Sequence, residues 1–135
     1  MLRLIVVLLL LAAPAFALET DCPLTDPENP GYRLVGGYPK YDSEDGGDFA
    51  VEVRRGDYWH STEHPQPWND RAETRLACQY RGPNDGGRTI ILKVPGQVIR
   101  CDWLARDVLR PQPVEPGTGG PIEAVFLRIW CTSRP

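Results

Sequence analysis

Five consecutive residues, His60-Ser61-Thr62-Glu63-His64, spell H-x-x-E-H. On a helix, two histidines four apart face the same way and can bind zinc beside a catalytic glutamate. His60, Glu63 and His64 are therefore the metal candidates, and a small metal-dependent hydrolase is the enzymatic alternative for this chain. The flanks argue against the helix: Gly56 and Asp57 precede the motif, Pro65 and Pro67 follow it, and no apolar residue recurs at helical spacing. The expectation is a long loop from Gly56 to Asp70, with no resident metal, no cofactor and no catalytic residues. It carries Tyr58, Trp59, His60 and Trp68, a set of rings and an imidazole that suits recognition of a macromolecule. The same rings would serve equally to cover the open side of a β core.

Other chemistry is thinner. Asp42, Glu44, Asp45 and Asp48 surround Gly46 and Gly47, and oxygen ligands so spaced can hold calcium, but the terminal glutamate of an EF-hand loop is missing. This segment reads as a solvated hairpin tip. Glu52, Glu63 and Glu73 supply carboxylates for glycoside hydrolysis, which needs a fixed separation across a cleft that spacing alone does not give. Ser61 and Ser133 lack the G-x-S-x-G elbow of a hydrolase nucleophile. Gly82 to Gly87 and Gly117 to Gly120 read as turns, not as a phosphate cradle. The net charge is −3 and no basic run appears; Arg54, Arg71, Arg81, Arg100 and Arg128 are scattered among acids. A nucleic-acid partner is not expected.

The elements that must position these residues begin after a leader. Arg3 is followed by an unbroken apolar run, Leu4 to Ala13, and then by the small-residue site Ala15-Phe16-Ala17, the layout of a secretory signal peptide. Residues 1–17 form that leader, and residues 18–135 form one domain with no membrane anchor after cleavage. Thr20 and Asp21 stand before Cys22, which is unlike a lipoprotein acceptor.

Alternation of apolar and polar residues predicts strands at Phe49–Arg55 with Val51 and Val53 inward, at Thr74–Arg81 with Leu76, Cys78 and Tyr80 inward, and at Arg88–Val94. Turn formers between the last two make them a hairpin. Val98–Trp103 continues as a strand toward Leu109, or Asp102 caps a short helix there. Ala124–Cys131 is a last strand, with Val125, Leu127, Ile129 and Cys131 on one face. The fold class is mostly β, a small antiparallel sheet or sandwich stapled by two disulfides, with room for one short helix.

Export makes disulfides of the four cysteines. A connection symmetric about residues 115–117 sets Cys101 opposite Cys131, within bonding reach, and leaves Cys22 to pair with Cys78. The alternative joins Cys78 to Cys101 and Cys22 to Cys131. No C-x-x-C motif is present to support redox activity.

Cys22-Pro23, Trp68, Leu76-Ala77-Cys78-Gln79-Tyr80, Leu92, Val94-Pro95 and Cys101 together resemble a pattern found in a group of small, uncharacterised exported proteins of proteobacteria. The resemblance spans about half of the domain. Here valine replaces the usual leucine before the proline, and Gly31 to Asp48 has no counterpart. The resemblance implies an exported β protein and carries no activity with it. The functional expectation is a non-enzymatic periplasmic or secreted domain that binds an envelope protein or glycan, inhibition of a cell-wall hydrolase being its specific form.

Overall fold

The computed structural model describes residues 16–41, 49–65, 73–110 and 120–135. Eight strands occupy most of them: β1 (Leu18–Asp21), β2 (Arg33–Tyr41), β3 (Phe49–Arg55), β4 (Tyr58–His64), β5 (Thr74–Arg81), β6 (Gly87–Lys93), β7 (Gln97–Leu109) and β8 (Ile122–Arg134). They form a five-stranded sheet in the order β1-β8-β7-β4-β3 and a three-stranded sheet in the order β2-β5-β6. Every pairing is antiparallel, so the expected fold class holds. Among the described residues the expected short helix is absent; the one helical piece is a 3-10 turn over Pro83–Asp85. Asp102 caps nothing because β7 is paired along its length, with β4 on one side and β8 on the other. Two ladders outweigh one cap.

The hairpin of β5 and β6 forms as its alternation requires. Arg81 faces Gly87, Gly82 N–H donates to the Gly86 carbonyl at 2.8 Å, and Asn84 takes the left-handed conformation, φ 62°, that asparagine tolerates. Leu34, Leu76, Cys78 and Tyr80 of the small sheet meet Val98, Cys101, Ile129 and Cys131 of the large one in a single core. Gly37 of β2 crosses Ile129 so closely that a Cβ there would stand 3.0 Å from the Ile129 Cγ2 atom and 2.9 Å from the Ala77 carbonyl oxygen. Only glycine fits at that crossing.

Three expectations are corrected. Residues 58–64 of the expected loop Gly56–Asp70 are strand β4, turned from β3 at Gly56 (φ 59°) and paired residue for residue with β3 and β7. Val51 and Val53 are 44% and 46% exposed, because their side of β3 faces away from the small sheet. In β8, Leu127 is 39% exposed while Phe126 packs on the core. Arg128 opposes Leu104 and Phe126 opposes Ala105, so Leu127 is the extra residue of a bulge, and a bulge reverses the phase of the strand. A second bulge, with Ile99 as the extra residue of β7, cancels the offset. Between the two bulges Cys101 lies directly opposite Cys131.

Both disulfides follow the first pairing. Cys101–Cys131 joins neighbouring strands with Cα atoms 4.0 Å apart, and Cys22–Cys78 joins the two sheets with Cα atoms 5.6 Å apart. Two disulfides point to a non-cytoplasmic location. Among the described residues no helix is long and apolar enough to cross a membrane. Asp42, Glu44, Asp45, Asp48 and Trp68 lie outside the described residues.

The segment after Cys22 is held by a buried carboxylate. Asp26 accepts from the Glu28 amide at 2.9 Å and from Asn29 Nδ2 at 3.1 Å, and it pairs with Arg88 of β6 at 3.2 Å. Burial pushes its carboxyl up, but the hydrogen bonds of Asn29 and Glu28 and the charge of Arg88 outweigh burial and hold it below the ordinary carboxylate value. A lowered folded-state value stabilises the fold above the unfolded-state pKa, and that contribution is lost as pH falls through the folded-state value. Asp26→Asn should thus lower the urea midpoint at pH 7 and differ progressively less from the parent below pH ~4; a constant difference would refute the assignment. Converting Cys22 and Cys78 to alanine should cost about 4 kcal/mol in urea unfolding, as expected for releasing a loop of this length.

Candidate functional site

Strand alternation decides which of the sequence candidates meet. On β4, Tyr58, His60, Thr62 and His64 point away from the small sheet, and Trp59, Ser61 and Glu63 point toward the side that it covers. Ser61 is buried there, as is Ser133. Trp59 is half-buried with the Arg54 guanidinium 4.5 Å above its ring, so it does not join Tyr58 and His60. Of the four surface candidates, the fold brings together Tyr58 and His60. The metal candidates are separated, since Glu63 is on the opposite face and His60 and His64 are about 13 Å apart along an extended chain. No cluster of three or more His, Cys, Asp or Glu suited to a metal exists among the described residues. Glu52 shares the face of Ser61, its register partner, while Glu73 lies before β5, 3.5 Å from Lys93.

The outer face of the large sheet is instead organised around Asp102, a residue that spacing alone did not nominate. Its side chain is fully buried, although among the described residues no second layer covers the face around it. Oδ1 accepts from Thr62 Oγ1 at 2.7 Å and lies 3.0 Å from His60 Nε2. Arg100 Nε stands 3.1 Å from Oδ2, close enough for an ion pair but not aligned for a hydrogen bond. Thr62 is the register partner of Asp102 on β4, and Trp130 is its partner on β8. The His60 ring is stacked on Trp130, with centroids 6.0 Å apart and planes at 18°. Arg128 lies 4.3 Å over the same indole and bonds Asp21 and Glu19 of β1 at 2.6 and 2.7 Å. Those two hydrogen bonds hold the Arg128 guanidinium charged well beyond its ordinary range.

His60 is therefore fixed at a ring nitrogen and on a ring face, yet its side chain is 49% exposed. Beside it the surface sinks into an open depression of about 360 Å³ lined by Val53, Arg55, Tyr58, His60 and Leu104. Cross-strand register sets Arg55 opposite Tyr58 and Tyr58 opposite Arg106, whose guanidinium is 5.6 Å from the phenol ring. The site thus offers apolar walls, a phenol, two guanidinium groups and an immobilised imidazole. The Thr62 hydroxyl, which shares the Asp102 Oδ1 atom with the imidazole, is already donated to that carboxylate.

No protein-family model, no curated protein and no solved structure matches the chain.

Replacing Asp102 with alanine removes the acceptor of Thr62 and the counter-charge of Arg100. Because His60 and Arg100 can turn to water, the loss should be about 2 kcal/mol, short of the penalty for orphaning a fully buried charge. The His60 ring signals in NMR should lose the restriction imposed by Asp102. An unchanged urea midpoint would show that the buried carboxylate does not organise this face.

Proposed function

We propose that the protein is an exported, non-enzymatic binding domain, working in the periplasm or outside the cell, that recognises an envelope protein or glycan through the outer face of its large sheet. One observation carries this reading. Tyr58 and His60 stand exposed on the outer sheet face, beside a depression that their own side chains line, and the imidazole is held in one orientation by Asp102 and Trp130. Side chains that are already ordered lose little freedom on binding, which is where recognition surfaces gain affinity. Rings with a polar tip, and arginine, are the residue types that dominate such contacts. The bonding of Thr62 to Asp102 favours recognition over hydrolysis, because it commits the neighbouring hydroxyl to holding the site together. The signal-peptide layout of residues 1–17 and the two disulfides support export.

A photo-crosslinking phenylalanine analogue at position 58 should capture a partner from an envelope extract, whereas the same analogue at Leu109, 78% exposed on the opposite face of the sheet, should not. His60→Ala should weaken capture by about tenfold, the effect of losing a central contact. Equal adducts from both positions, or none from position 58, would overturn the reading.

A further inference from the structure

We propose that the outer face of the three-stranded sheet is a docking surface for an anionic lipid bilayer. The chain carries a net charge of −3 and no basic run, so nothing in its linear order announces a cationic surface. Register creates one. Lys40 of β2 opposes Arg75 of β5, which opposes Lys93 of β6, and toward the other end of the sheet Arg33 opposes Arg81. Leu34, Leu76, Cys78 and Tyr80 point into the core, so alternation turns all five cations outward. Strands lie about 4.8 Å apart, and like charges placed directly opposite one another cost stability. Arg75 is itself engaged and Glu73 stands 3.5 Å from Lys93, whereas Arg33 and Arg81 have no carboxylate partner among the described residues. A fold that sets cations side by side gains when a surface of negative charge is laid against it.

The strip between the two rows selects the kind of anion. Tyr38 and Ile91 flank Ala77 across the three strands, and each is 46% exposed. Val35, the extra residue of a bulge in β2, is 37% exposed and lines the same depression as Gln79, Arg81 and Thr89. A soluble polyanion has no use for a phenol and two aliphatic side chains in the middle of its site. A bilayer surface uses both components, since phosphate headgroups meet the guanidinium and ammonium groups while tyrosine and aliphatic side chains enter the headgroup boundary. The layout is that of a peripheral contact and is independent of the ligand face on the opposite side of the sandwich.

Co-sedimentation with phosphatidylcholine vesicles, with and without phosphatidylglycerol, tests this. The protein should bind the anionic vesicles about tenfold more than the neutral ones, and added salt should release it. Arg33→Gln with Arg81→Gln should reduce binding about tenfold at an unchanged urea midpoint. Ile91→Ser, and separately Tyr38→Ser, should also reduce it, with the second variant deciding should the first fail to fold. Equal binding to both vesicles, or none to either, would overturn the proposal. So would vesicle binding that survives both serine variants and is competed fully by soluble polyphosphate, which would assign the face to a soluble polyanion.

Discussion

Cys78 sits in the middle strand of the small sheet, and its sulfur is bonded to Cys22, whose amide donates to the Ile129 carbonyl of the large sheet at 2.9 Å. One covalent bond and one hydrogen bond thus run from the middle strand of one layer to an inner strand of the other. Gly37 lets the layers approach at that level, and the core forms around the contact. A small domain buries too little apolar surface to hold two sheets face to face with much margin. The cross-link supplies the margin by limiting what the unfolded chain can do.

The arrangement also decides which surfaces are left for function. Each sheet spends one face on the core and presents the other outward, and the two outer faces differ in character. That of the large sheet is tied together by Asp102 and its neighbours, a polar network in which a half-exposed imidazole is immobilised. That of the small sheet carries cations toward its ends, with exposed Tyr38, Ile91 and Val35 between them. Neither property belongs to any one strand; both come from pairing.

That origin explains what could be read in the sequence and what could not. The β5–β6 hairpin was legible because Leu76, Cys78 and Tyr80 alternate cleanly beside a run of turn formers, and Cys101–Cys131 because a hairpin has a centre of symmetry. β2 was not, since Arg33–Tyr41 contains two glycines and a proline and owes its extended form to β5. β4 was missed because polar residues fall on both faces of Tyr58–His64: the outer one is wet, and the inner one carries Ser61 and Glu63. Asp102 read only as a helix cap and gave no signal as a site residue, for its partners Thr62 and His60 are forty and forty-two residues away in sequence. The cationic rows were hidden for the same reason, one residue being contributed by each strand.

The disulfide between β7 and β8 has a consequence for how this domain can vary. A slip of one residue in a strand pair sends every side chain to the wrong face, and in most hairpins it is the connecting turn that forbids the slip. Here the covalent bond at Cys101 and Cys131, bracketed by two opposed bulges, forbids it well away from the turn. The alignment of β7 with β8 at Asp102 and Trp130 is thereby held from within the paired strands, by a covalent bond between them. The register that the outer face depends on travels with the two strands themselves, so the polar network is inherited as a unit with the disulfide.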